Sequence, residues 1–577
     1  MRPPVDASQQ MFIPTYMEAA YKMMLNKAQC NRLNVVMTLA VMLAVAVAAP
    51  AAAEPKGTLV IAVEDVGPRT WFHHATQWPY HQRPHSLGIG ESLMMFDGVK
   101  LHPMLAKSWE VTPQGVTFKI RTDVAFHGDW GNLTAADVVR TYREATKAAG
   151  KPAGAAILQS DYTEFKALDD ETVFMGLKAP TIRWDAQHRH WGDSTPIISQ
   201  KALDEKGQDW ASQNIVATGP YRLKDHKGDV SIELEAVPNH WRQTPAFQTV
   251  KIIDAPEEAT RIALLKTGQA DITQVSLSNV DQVQGLPGVQ LFRGKFGKSQ
   301  ATLTLSGQYY ETTDEEGKPL DTSGGKRQLK PSLPWVGDPK DPKSMEAARK
   351  VRRAFSLAID RQAIVDAILN GQGCVASTIY FSDCHPRHQK RWTVEYNPEE
   401  AKKLLAEAGY PKGFDFKYFI PSGLAGELVE VGEALIGMFE AVGLRPKVEK
   451  AAYQSRRPTM LGRTIEDVWV GPYGTGADTA QGSIFDMQNL SYLGVWNPGI
   501  EYAESTRFFR EGLSSTNEEV AWEIITRYLD WQNEEMVSMG TVTWQSPWAA
   551  GPKVKAWDFP YHSGFYPQRL EYIVSGP

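Results

Sequence analysis

The sequence predicts an α/β fold built as more than one domain, and three observations carry that expectation. Residues 415–450 read as strand, helix and strand joined by short turns, which is a βαβ unit with a parallel pair and a right-handed crossover. The first half carries short β-rich runs with alternating apolar and polar residues, interrupted by a capped helix. The chain, at 577 residues, is too long for a single core and suggests two or three domains.

At the N-terminus Lys27 and Arg32 flank an apolar run over 35–47, and Ala51 and Ala53 stand as an A-x-A exit before Glu54. That layout predicts a secretory signal peptide cleaved after Ala53. A membrane anchor is the alternative, but the run is shorter than the roughly 20 apolar residues a bilayer requires. Residues 1–22 precede a signal peptide of ordinary length, and internal starts are available at Met23, Met24 and Met37. No second apolar run of spanning length follows, so the mature chain is expected not to cross a membrane.

Further along, "GTLVIAVE" (57–64), "VTFKIR" (116–121) and "DVSIELEAVP" (229–238) predict strands. "LTAADVVRTYREATKAAG" predicts a helix with Thr134 as its cap, Asp137 completing a capping box and Gly150 closing it. In the second half Val351, Ala354, Phe355 and Ala358 recur at helical spacing, and Asp360 caps a following helix that ends at Gly371. "NPEEAKKLLAEAGYP" is punctuated throughout: Asn397 caps, Pro398 takes the first helical position, and Gly409 and Pro411 stop the helix. The βαβ unit is "FDFKYFIP", a helix from about 425 to 442, and "RPKVEK". Residues 311–345, rich in Gly, Pro and charge, predict a long surface loop inserted within a domain.

A net charge of −6 gives no electrostatic reason to expect a nucleic acid partner. Past the predicted cleavage site only Cys374 and Cys384 remain, ten residues apart. In an oxidising compartment they are expected to pair, with two unpaired thiols as the alternative. "CHPRH" places His385 and His388 beside Cys384, a pattern read as a polar loop in preference to a metal site. No G-x-S-x-G, H-E-x-x-H, Walker loop or post-strand G-x-G-x-x-G occurs, which removes the reason to propose an enzyme.

"GTLVIAVE", "LHPMLAKSWEVTPQGVTFKIRTDVAFHGDWGNLTAADVV", "ATGPYRL", "EAVPNHWRQTPAFQTVKI", "ATRIALLKTGQADI", "VRRAFSLAIDRQAIVDAILNGQG" and "NPEEAKKLLAEAGYPKGF" follow one another in order over nearly the whole mature chain. Together they resemble the oligopeptide, dipeptide and nickel family of extracytoplasmic substrate-binding proteins of ABC transporters, family 5. The resemblance implies a two-lobed fold of the periplasmic-binding-protein type II, with an extra subdomain in lobe I. On that pattern residues 1–53 are the extension and signal peptide. Lobe I is 54–295 plus 549–577, with an inserted subdomain at about 91–214, and lobe II is 296–548. It implies a monomeric periplasmic protein that captures a small organic ligand in the interlobe cleft and delivers it to an ABC permease and ATPase complex. No cofactor, bound metal or catalytic residue is implied. The alternatives are a metal-chelate binding protein of the nickel type and a periplasmic ligand sensor on the same fold. In the family's "FHDG" turn, His127 is read as structural.

The family pattern places the loop after the first strand in the cleft, and this loop holds "WFHHATQWPYHQRPH" (71–85), with four histidines and the aromatics Trp71, Phe72, Trp78 and Tyr80. An aromatic wall around an organic ligand is the expectation, formed by Trp71, Trp78, Tyr80, Trp469 and Tyr473. His73 and His74 are read as hydrogen-bonding groups, and Arg69 or Arg83 as partners of a ligand carboxylate. Packing of the aromatics inside lobe I, or a metal site on the histidines, are the alternatives. In "VWVGPYGTGAD" (468–478) peptide-binding members carry an Asp where this chain has Pro472, so an ordinary free-amino-terminus peptide fits poorly. Asp478 is a shifted candidate for that role. Trp469 and Tyr473 resemble the nickel branch, which Gly474 then departs from.

Overall fold

The computed structural model describes residues 54–71, 83–97, 100–147, 153–190, 195–294, 299–321, 327–379, 381–424, 426–474, 480–494, 497–515, 517–559 and 566–576. The predicted signal peptide lies outside them. Among the described residues no helix is long and apolar enough to cross a membrane.

Two sheets organise the chain. The first has seven strands in the order Gln290–Phe292, Trp548–Ala550, Ile272–Gln274, Thr58–Val63, Thr249–Asp254, Ser231–Ala236 and Tyr221–Lys227. Thr58–Val63 runs parallel to Thr249–Asp254 and to Ile272–Gln274, and helix Glu258–Lys266 makes the crossover between those two. Strand period sorts the side chains: Leu59, Ile61 and Val63 join Ile232, Leu234, Val250 and Ile252 on one face, while Val60 and Ala62 meet Ile253 and Leu264 on the other. A separate four-stranded antiparallel sheet, built from Ala106–Thr112, Gly115–Ile120, Tyr162–Ala167 and Thr172–Leu177, packs against helix Ala135–Thr146. That helix begins with the predicted capping box of Thr134 and Asp137. His127 sits nearby, half-buried, with its Nε2 bonded to the Gly219 carbonyl at 2.8 Å.

The second sheet has six strands in the order Cys374–Val375, Met539–Trp544, Ser299–Leu305, Val468–Gly474, Asp415–Ser422 and Arg445–Ala452. Asp415–Ser422 pairs parallel with Arg445–Ala452 across helix Gly426–Glu440, which is the predicted βαβ unit. The flanking helices start where the sequence says. Asp360 accepts from the Ala363 amide and Asn397 from the Glu400 amide, with Pro398 in the first turn. Helices Ala480–Gln488, Ala503–Leu513 and Glu518–Glu535 form a further cluster around Phe509, Tyr528 and Trp522.

The chain passes from the first sheet to the second between Phe292 and Ser299, and returns between Trp544 and Trp548. Cys374 and Cys384 are joined in a disulfide, which ties down the loop after the edge strand Cys374–Val375. The 311–345 segment is less peripheral than a surface loop. Trp335 and Val336 are buried in the second core, and Arg327 pairs with the buried Glu501 at 3.3 Å. The reason lies in composition: the segment is polar along most of its length but carries an apolar pair, Trp335 and Val336, that a neighbouring core absorbs.

Candidate functional site

Ligands in open α/β sheets bind outside the carboxyl ends of parallel strands. In the first sheet that edge is reached at Val63, Glu64 and Asp65, and at Gln274; in the second it is reached at Gly423 and Leu424, just beyond Asp415–Ser422. These residues come together. With Arg261, Trp548 and Tyr566 they line a pocket walled by residues attached to both sheets. Burial pushes the Glu64 carboxyl up, the Arg261 charge opposes that shift, and Asp65, Glu258 and Glu257 add to it.

Two sets of contacts hold this arrangement. On the side of the chain crossings, Glu427 at the start of Gly426–Glu440 is buried. It accepts from the Leu277 amide at 3.0 Å and from the Ser546 hydroxyl at 2.8 Å. Ser278 donates to Glu430 at 3.0 Å beside it. Burial pushes the Glu427 carboxyl up to about 7, against its hydrogen bonds and with some help from the Glu258 charge. Elsewhere the loop 181–185 meets the helices of the second half. The Ile182 amide donates to the Leu513 carbonyl at 3.0 Å, Arg183 donates to Gln488 Oε1 at 3.1 Å, and Gln481 donates to the Ile182 carbonyl at 3.2 Å and to Asp185. Arg183 is oriented by a two-pronged bond to Asp161, at 2.6 and 2.8 Å, and lies over the Phe509 ring.

The residues singled out in the sequence fall in three groups. Trp71 and Arg83 are inside the first core. Trp71 is 2 % exposed and packs in the cluster of Leu59 and Ile61; Arg83 is fully buried, 4.9 Å from the Trp71 ring. Its guanidinium donates to the carbonyls of Val66, Pro68 and Thr70 at 2.7–3.0 Å, so it laces the turn after the first strand. That is the packing alternative, in place of a ligand-facing wall, and the reason is local. The turn presents three carbonyls, and one planar fork satisfies all three. His85, also buried, bonds Ser92 at 2.7 Å and meets His190 edge to face.

Trp469 and Tyr473 share one face of Val468–Gly474, with Gly471 between them and rings 6.5 Å apart. A Cβ on Gly471 would strike both rings, at 2.7 and 2.8 Å, so the glycine is what lets them close over the strand. Both side chains are buried, and Trp469 Nε1 donates to the Pro498 carbonyl at 3.3 Å. Pro472 lies opposite Ala301, on the other face by strand alternation. His73, His74, Trp78, Tyr80 and Asp478 lie outside the described residues. Among the described residues the one trio of metal-ligating type, Cys374, Asp383 and Cys384, has both its sulfurs committed to the disulfide.

Glu64, Arg261 and Trp548 were not reached from the sequence. Glu64 was findable, because it ends the first strand; Trp548 was not, because nothing local shows that 548–550 returns to insert between two strands of the first sheet.

A family model described as bacterial extracellular solute-binding proteins, family 5, middle region, matches residues 100–507. A heme-binding protein A of Haemophilus influenzae is 26% identical over 344 residues, covering 56% of this chain and 56% of that protein. The dipeptide-binding protein of Escherichia coli is 24% identical over 402 residues, covering 64% of this chain and 68% of that protein. The chain thus aligns with little more than half to two thirds of these relatives. Among solved structures, the dipeptide binding protein of Pseudoalteromonas sp. SM9913 in complex with Met-Leu superposes with a TM-score of 0.74 at 18% identity, over 90% of this chain and all of that one. That likeness is one of fold, and the fold is the two-lobed α/β architecture of periplasmic binding proteins.

Proposed function

The chain belongs to the bacterial extracellular solute-binding proteins of family 5, and from that premise we propose that it captures a small organic ligand between two lobes and delivers it to the permease of an ABC transporter. No bond is made or broken in this reading. The ligand selects the closed form by touching both lobes, so that closure reports occupancy.

The observation that carries the reading is the pocket between Val63–Asp65 and Gly423–Leu424, at the carboxyl edges of two sheets that the chain joins by two short crossings. The proposed lobe limits are 54–295 with 549–577, and 296–548, with 91–214 as an insertion in the first. Strand membership in the two sheets supports them, apart from Trp548, which stands on a first-sheet strand one residue before the limit. Export by the N-terminal segment, a periplasmic location and a monomeric state belong to the same proposal. So do ligand contacts from His73, His74, Trp78, Tyr80 and Asp478. Relatives named for heme and for dipeptides indicate that family membership alone does not select a ligand.

Native mass spectrometry of the purified protein, paired with small-angle scattering before and after ligand removal, tests the reading. The expected result is a co-purified small molecule whose loss opens the lobes. A protein that carries nothing, and whose dimensions do not respond to any cell-extract fraction, would sink it.

A further inference from the structure

A second cavity, of about 150 Å³, lies beside the two chain crossings, on the side away from Gly423–Leu424. Arg293, Gln372, Cys374, Thr543, Trp544 and Gln545 line it, and none of them lines the pocket described above. Register explains how they meet. Gln290–Phe292 and Cys374–Val375 are edge strands of the two sheets. Arg293 follows the first, Cys374 pairs with Thr543, and Trp544 and Gln545 begin the return crossing. Arg293 Nη2 donates to Gln372 Oε1 at 2.6 Å, a bond between the two halves. Partial burial pushes the guanidinium down from its ordinary value, and no neighbouring carboxylate opposes that shift. Thr543 is fully buried and Trp544 is 2 % exposed, and neither the Thr543 hydroxyl nor Trp544 Nε1 has a hydrogen-bond partner among the described residues. Buried donors without acceptors are costly and rare in a folded protein, so two of them beside an uncompensated cation call for an acceptor.

We propose that this cavity beside the crossings is a binding site for a small oxyanion, held by Arg293, Trp544 Nε1 and the Thr543 hydroxyl. The inference goes beyond ligand capture in the cleft and does not depend on it. The lining selects the charge of its occupant. A guanidinium and an indole N–H only donate and a hydroxyl can donate, whereas no residue of the lining carries a negative charge. A cation would therefore meet Arg293 with nothing to pair it, and an apolar molecule would leave all three donors unmet. A neutral acceptor would answer the indole but not the guanidinium, which gains most from an ionised oxygen. Gln372 already accepts from Arg293 through Oε1, which leaves its amide nitrogen to donate. The disulfide between Cys374 and Cys384 ties down the edge strand that walls the cavity, so the site is formed before the anion arrives. A carboxylate and a tetrahedral sulfate or phosphate share this chemistry. Either would bond groups carried by both halves at the place where the chain crosses between them.

Isothermal titration of the full chain with sodium sulfate, sodium phosphate and sodium acetate, at an ionic strength held constant with sodium chloride, tests this. Sulfate also stabilises folded proteins by exclusion from their surface, so a saturable heat, and not a melting shift, is the readout. At least one of the three should bind at a single site. A preference of about ten-fold or more for sulfate and phosphate over acetate assigns a tetrahedral anion, and the reverse preference assigns a carboxylate. Arg293→Gln removes the charge at an exposed position and should weaken the preferred anion about ten-fold or more, with Arg293→Lys recovering part of the loss. Thr543→Val and Trp544→Phe each remove one donor, and each should weaken it about five-fold. Trp544 packs in the second core, so Arg293→Gln and Thr543→Val carry the test if Trp544→Phe fails to fold. Heat that does not saturate with any of the three salts would overturn the site. Saturable binding indifferent to Arg293→Gln and Thr543→Val would mean an adventitious ion only, and would overturn it equally.

Discussion

The interiors of the two halves hold their buried charges in different ways. Around the first sheet and its inserted subdomain the core is laced with buried polar groups. Glu91 is fully buried, accepts from Thr218 and Trp241 at 2.9 Å, and pairs with Arg242, which reaches on to Glu571 and Tyr572 in the C-terminal tail. His188 is clamped between the hydroxyls of Tyr142 and Tyr162, each at 2.7 Å. Around the second sheet Trp335, Phe355, Phe414, Phe416 and Phe439 pack in edge-on contact, and the buried Arg352 and Arg361 are held mainly by backbone carbonyls, those of Trp335 and Glu535 and those of Ser356, Ala376 and Gly540. The first half must gather separated pieces of chain, including residues about 480 apart in the Glu91–Glu571 link, and directional bonds fix which piece goes where. In the second half the aromatic cluster packs by shape around those two laced arginines.

The largest expected effect follows from that contrast. Arg242→Ala leaves Glu91 and Glu571 buried without their partner and should destabilise by about 3–5 kcal/mol. Phe355→Ala should cost a similar amount, about 3–5 kcal/mol, through a cavity. The conservative pair separates the two designs. Phe355→Leu should recover most of the loss, whereas Arg242→Lys should not, because an ammonium cannot span two carboxylates as a fork does. Urea unfolding of the four variants checks it, and equal rescue in both halves would erase the distinction.

The histidines give the next effect. Burial depresses His127 to about 4 and His188 to about 3. The folded state therefore refuses protons that the unfolded chain accepts at about 6.5. Stability from these groups is full above that value and falls as pH drops toward the folded values. At pH 5 each should cost on the order of 2 kcal/mol relative to pH 7. Unfolding free energy measured from pH 7.5 to 5 should fall, and the fall should shrink when His188 is replaced by Gln, which keeps polar contact without titrating.

Glu427 has the opposite sign and belongs to neither core, since it lies where the halves meet. Its folded value of about 7 is raised above the ordinary carboxyl range. Its contribution is therefore present at low pH and is lost as pH rises through about 7. Glu258 and Glu430 are the charged neighbours in that corner, and both add negative charge. Glu427→Gln should gain stability relative to the parent between about pH 5 and 8, by no more than about 3 kcal/mol. A difference that stays flat with pH would mean the carboxyl is not held neutral.

Much of this was legible because it is local. The caps at Thr134, Asp360 and Asn397 are single-residue signals with one physical job, and the βαβ unit follows from turn spacing and period. The cleft was legible only in part. Trp71 and Arg83 have the composition of a ligand wall, and nothing in the spacing says that three turn carbonyls would claim the guanidinium. Arg261 and Trp548 carry no motif, because the pocket they line exists only once strand 548–550 has returned across more than two hundred residues to the first sheet.

The smallest effect concerns the contact between loop 181–185 and the helices of the second half. Gln488 is the acceptor for Arg183 Nη1, while Arg183 keeps its bond to Asp161 whether or not Gln488 is present. Gln488→Ala therefore removes one bond across that contact without stranding a charge, and a hydrogen bond of this kind is worth about 1 kcal/mol. If the contact holds the lobes closed, that amount shifts the balance toward open forms by about five-fold, and apparent ligand affinity falls by a similar factor. The radius of gyration of the unliganded variant should rise while its melting temperature changes by only a few degrees. If instead the contact is rigid in every state, the melting temperature will fall and the scattering profile will not move, and the closing role will pass to the Glu427 corner alone.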